Sequence, residues 1–186
     1  MRRTLFPALL LAVLLPLPAQ ARVVVEATSN SNLGPLLAVK ISEEIAPGDY
    51  EALMQGIRAN PGKHGRRIAL LDSIGGSVAE AIRMGRLLRE TGFEVIVPSS
   101  GVCQGSCIYQ LAAGKRRIIR GAVALHRPYY PGGDSWQSEL NRQNANPRSY
   151  LREMDVRPDL VDAMHQVAPG RLRLLSEQEL ARYGLH

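Results

Sequence analysis

Cysteine and histidine are scarce in this sequence. It has two of the first, Cys103 and Cys107, and four of the second, His64, His126, His165 and His186. A zinc shell gathers four such ligands at one point. Two Cys and four scattered His do not supply one, so no metal site is expected, and no cofactor either. Repeats, low-complexity tracts and a second long apolar run are also missing. No Cys stands near residue 21, which argues against a lipid anchor. Lysine is nearly absent, since 20 of the 23 basic residues are Arg.

What is present begins with an export signal. Met1-Arg2-Arg3 is a short basic start, Leu5 to Leu17 is apolar, and Ala19-Gln20-Ala21 is a small-x-small end. That order is the pattern of a cleavable signal peptide. The alternative is a membrane anchor. The apolar run has 13 residues, where a spanning helix needs roughly 20. Pro7 and Pro16 also weaken it as a lasting helix. Residues 1–21 are therefore expected to be removed, leaving 22–186 as one domain in the periplasm or outside the cell. The formal charge of +6 falls by two with Arg2 and Arg3. A modest positive charge there suits solubility or acidic surfaces; nucleic acid is not an expected partner. Disulfides persist in such a compartment. Cys103 and Cys107 are four apart, a spacing that brings side chains together on a helix. A disulfide between them is expected, with two buried free thiols as the alternative.

Along the mature chain the pattern is α/β. Val23–Val25, Leu36–Ile41, Ile68–Leu71, Phe93–Val97, Ile118–Ile119 and Ala122–Leu125 read as strands. Helical spacing after Asp49 stops at Asn60-Pro61-Gly62, and the next helix runs from Val78 to Gly92. Cys103–Ala113 reads as a short apolar helix ended by Gly114. Alternating strands and helices imply mostly parallel strands. Polar helical sequence covers Trp136 to Met154, broken near Pro147. Another helix is expected from Pro158 to about Val167. Ser176 with Glu179 forms a capping box for a last one.

Three segments could carry chemistry. Asp72-Ser73-Ile74-Gly75-Gly76-Ser77 follows a buried strand. Gly101 to Cys107 is a strand-to-helix turn. Leu125-His126-Arg127-Pro128 ends a strand. Sites in open α/β sheets gather at the carboxyl ends of strands. Ser106 at a helix start would be a nucleophile and His126 its base. Gly75, Gly76 and the Cys107 backbone would aim N–H groups at an oxyanion. Each alone also has a plain role, as a cap, a turn or a core histidine. Tyr129, Tyr130 and Trp136 follow His126 directly and would form either a substrate-side lid or an ordinary surface loop.

Together these segments resemble the Clp protease/crotonase superfamily, and especially its exported, Clp-like periplasmic branch. Ser73-Ile74-Gly75-Gly76-Ser77 is similar to the family's Ser-Pro-Gly-Gly turn, with Ile74 in place of Pro. Leu111-Ala112-Ala113-Gly114 is similar to the end of its nucleophile helix. Val123 to Pro128 is similar to the strand bearing its catalytic His. Leu175-Ser176 through Tyr183-Gly184-Leu185 is similar to its C-terminal segment. The resemblance implies a right-handed spiral of strand-strand-helix units, with a mostly parallel sheet and outer helices. It also implies self-association and a serine hydrolase acting on peptide or protein substrates.

Two positions depart from that pattern. Counted from Gly114, the family's nucleophile slot falls on Gly105, and Ser106 comes one residue late. One helical step turns a side chain by roughly 100°. The stretch where the family carries its acid is Val167-Ala168-Pro169-Gly170, with no carboxylate. Two readings follow: an exported serine hydrolase, a small peptidase using Ser106 and His126, or a catalytically inactive Clp-like binding or assembly module. Export also excludes an ATP-driven unfoldase partner and makes coenzyme A chemistry an improbable use of the fold.

Overall fold

The computed structural model describes residues 23–128 and 144–186. The expected signal peptide and the Tyr129, Tyr130 and Trp136 loop lie outside the described residues. β1 (Val23–Asn30) and β2 (Gly34–Ile45) form an antiparallel hairpin. Then follow α1 (Asp49–Ala59), β3 (Arg66–Gly76), α2 (Val78–Glu90), β4 (Glu94–Val97), β5 (Val102–Gln104) and α3 (Cys107–Ala113). β6 (Arg117–Ile119), β7 (Ala122–Leu125), α4 (Pro147–Glu153), α5 (Leu160–Gln166), β8 (Arg173–Leu174) and α6 (Glu177–Tyr183) complete the described chain.

The main path of the sheet is β1-β2-β3-β5-β7-β8, with β4 and β6 branching from β3. The β2–β3, β3–β4, β3–β5, β4–β6 and β5–β7 pairs are parallel. β7–β8 is antiparallel, like β1–β2. The mixed α/β architecture with mostly parallel strands is therefore as the sequence implies. None of the helices among the described residues is long and apolar enough to cross a membrane.

Buried Val39, Ile41, Leu71, Val95, Val97 and Val123 from the strands share one core with Leu53, Ile82, Leu88, Ile108 and Leu111 from the helices. Each side chain so buried contributes roughly 1.5–3 kcal/mol relative to exposure. α1 has no side-chain cap of its own. The buried carboxylate of Glu80 on α2 accepts from Gly48 N and Tyr50 N instead, at 3.0 and 2.9 Å. One acid thus satisfies two orphan donors of the neighbouring helix and docks the pair.

Several local expectations are revised. Cys103 lies in β5 and the helix begins only at Cys107, because strand pairing with β7 holds residues 102–104 extended. Pro147 stands in the first turn of α4, where its missing N–H costs nothing, and the chain is not helical at 144–146 just before it, while 136–143 lie outside the described residues. The Ser176–Glu179 capping box is present. β8 has no counterpart in the sequence reading.

Candidate functional site

The three candidate segments meet at the carboxyl ends of β3, β5 and β7. Ser73 pairs with Cys103, and Cys103 pairs with Val123, so the strand ends stand side by side. From these ends the chain delivers the Gly75-Gly76 turn, the Gly105-Ser106 turn and His126 to one place.

The glycine turn is built by a bulge. In the β2–β3 register Glu43 pairs with Ser73 and Glu44 with Gly75, which leaves Ile74 as an extra residue. Ile74 projects into solvent and is 52% exposed. Across from it Glu43 adopts φ 62°, a left-handed conformation rare outside glycine. Buried Ser73 holds both strands in this state. Its hydroxyl donates to Glu43 O at 2.5 Å and accepts from Gly75 N at 3.2 Å. Bulges of this kind re-aim side chains beside functional sites.

Glycine is required at two points. Gly75 has φ +90°, and a Cβ there would lie 2.7 Å from Gln104 O, 3.0 Å from Ser106 N and 3.3 Å from His126 Nε2. Gly105 has φ +52°, and a Cβ there would lie 1.9 Å from His126 Nε2. The Nε2 end of the imidazole therefore occupies the space that a Cβ on Gly105 would need. His126 is half-buried, and its Nδ1 bonds the Arg127 carbonyl at 3.1 Å. A carbonyl only accepts, so this bond uses a proton on Nδ1, and Nε2 is the ring nitrogen turned toward the two glycine turns.

Ser106 occupies a different direction. It is buried, and its hydroxyl donates to Gly76 O at 3.1 Å. Among the described residues no hydrogen bond joins Ser106 to His126. The backbone N–H groups of Ser106 and Cys107 open α3 beside the Gly75 turn. Asp72, the acid nearest the turn in sequence, accepts from Val102 N at 3.1 Å and so ties β3 to β5.

Cys103 and Cys107 form a disulfide, with Cα atoms 5.3 Å apart and both side chains fully buried. The bridge runs from β5 to the first residue of α3 and encloses Gln104, Gly105 and Ser106. A disulfide is at home in an oxidising compartment.

β8 adds a residue that the sequence reading missed. Leu125 pairs with Arg173 in the antiparallel β7–β8 register. The ladder ends there, and Leu172, just before Arg173, lies at the same end of it as His126, just after Leu125. Leu172 is 57% exposed and has no group that could orient an imidazole. The local signal was a brief alternation, Arg171-Leu172-Arg173-Leu174, and the pairing with β7 is nonlocal. Ala168, where the sequence reading looked for an acid, is exposed beyond α5. Among the described residues no carboxylate bonds His126, and no cluster of His, Cys, Asp and Glu could hold a metal ion.

No protein-family model matches the chain, and no curated protein matches it.

Proposed function

We propose that this protein is an exported, non-catalytic member of the Clp/crotonase-like group, a binding or assembly module built on a hydrolase-like site. The observation that carries the reading is the contact of the His126 ring with Gly105. The position that faces Nε2 has no side chain, and the nearest hydroxyl, on Ser106, is buried and engaged by Gly76 O. A serine needs a base within hydrogen-bond reach to act as a nucleophile. The absence of a carboxylate bonded to His126 among the described residues supports the same reading, since a triad orients its imidazole with an acid.

The serine peptidase reading requires Ser106 to leave Gly76 O and turn its hydroxyl to Nε2. The half-buried imidazole and the backbone N–H groups of Ser106 and Cys107 at the start of α3 are what favour it. A peptide-library digestion separates the two. The mature, disulfide-intact protein is expected to give no cleavage above that of His126→Ala. Cleavage that disappears in both Ser106→Ala and His126→Ala would overturn the non-catalytic reading. The substrate or ligand cleft in either case lies in the periplasm or outside the cell, in keeping with the export signal and the disulfide.

A further inference from the structure

Four large apolar side chains are exposed among the described residues: Leu33, Ile74, Leu172 and Leu174. Three of them lie on the elements that carry the site. Ile74 is expelled by the bulge next to Gly75, Leu172 directly precedes β8, and Leu174 follows two residues on, on the same side of the extended chain. Leu174 is 67% exposed. β8 also ends the sheet, so its outer backbone edge meets no other strand among the described residues. Soluble proteins protect such edges, and an exposed apolar one is a template for another chain.

Charge narrows the choice of partner. Arg127 lies two residues past Leu125 and Arg171 two residues before Arg173, at the same end of the β7–β8 ladder. Both are exposed, and neither has an ion-pair partner among the described residues. Two unpaired arginines there leave net positive charge at this end of β8. An acidic residue laid against it would offset that charge. A second copy of this chain would bring further Arg to the same place. An anionic lipid surface supplies the charge but cannot pair with the strand backbone.

We infer that the outer edge of β8, with Leu172, Leu174, Arg171 and Arg127, docks an extended peptide in which apolar and acidic residues alternate. The peptide adds a strand to the sheet. Its apolar side chains lie on the Leu172–Leu174 side, and its acids lie toward the arginines. This rests on the reading of the protein as a binding module and names the partner for it.

The test uses the mature, oxidised protein labelled with 15N. It is titrated with an acetylated Glu-Leu-Glu-Leu-Glu pentapeptide and separately with Lys-Leu-Lys-Leu-Lys. Only the acidic peptide is expected to bind, with saturable shifts in the amides of 124–127 and 171–175. Leu172→Asn with Leu174→Asn should weaken it about tenfold or more, and Arg171→Glu should reverse the preference of sign. Both changes are on exposed side chains, and the spectrum itself reports whether the fold is kept. Equal binding of both peptides, binding of neither, shifts confined to other strands, or binding only to anionic phosphatidylglycerol vesicles would each overturn the inference. If the acidic peptide docks on β8 and is then cleaved in a His126-dependent way, the docking stands and the non-catalytic reading falls.

Discussion

At Gly105 a single missing Cβ decides what His126 can do. Serine there would place its side chain against Nε2, and the imidazole, at the end of a flexible side chain, must swing outward to admit it. The left-handed backbone costs a non-glycine residue roughly 1–2 kcal/mol. Gly105→Ser is therefore expected to lower stability by about that much, measured by urea denaturation, and to react with serine-directed probes where no reaction is expected of the native chain. Ser73 acts on the other glycine turn. Ser73→Ala removes both hydrogen bonds and leaves Gly75 N and the strained Glu43 carbonyl without their partner. A loss of roughly 1–3 kcal/mol is expected, with perturbed amides at Glu43, Gly75 and Ser106. An unchanged unfolding midpoint would contradict that role. The glycine turns and His126 were legible in the sequence because each sits in a local signature at a strand end. The direction of Ser106 was not. It depends on whether residue 105 enters the helix or the left-handed turn before it, and that follows from β5 pairing with β7.

Elements are held around the site by two devices. The first is the disulfide between β5 and α3. It closes a loop of only a few residues, for which the chain-entropy model gives roughly 2 kcal/mol. Reduction under native conditions should lower stability by about that amount and should shift the His126 ring signals, since the bridge encloses the turn beneath the ring. The second is Arg117. It donates to Ala112 O near the end of α3, to Met154 O after α4 and to Gly184 O after α6. Three helix C-termini thus share one guanidinium, a favourable place for a cation. Burial, and then the nearby Arg89, lowers its pKa from the usual value. Arg117→Met leaves those carbonyls without the shared donor and should cost roughly 2–4 kcal/mol in thermal or chemical unfolding. Helix α6 itself was readable from Ser176 and Glu179, because a capping box is a local pattern. β8 was not singled out, because Arg171-Leu172-Arg173-Leu174 alternates as a strand does but is too short a run to identify one until β7 is beside it.

Over the whole molecule, stability should depend on pH in two separate ranges. Burial, then the field of Arg127, holds the His165 pKa below its ordinary value of 6.5. The folded state resists a proton that the unfolded chain accepts, so stability is full above pH 6.5 and declines as pH falls through that value. Glu94, held low by Arg66, loses its contribution only further down, below its ordinary value of 4.5. Melting temperatures between pH 7.5 and 5 should fall in the native protein and fall less in His165→Gln. No difference between the two would remove His165 as the cause. The α/β architecture was legible as a whole because buried parallel strands are continuous apolar runs. Chemistry is a stricter matter, since it turns on one side chain facing another. The measurement that bears most directly on it is fluorophosphonate labelling of the mature, oxidised protein, read by intact mass. The account predicts no adduct on the native chain and an adduct on Gly105→Ser. A stoichiometric adduct on native Ser106, lost in His126→Ala, would contradict it.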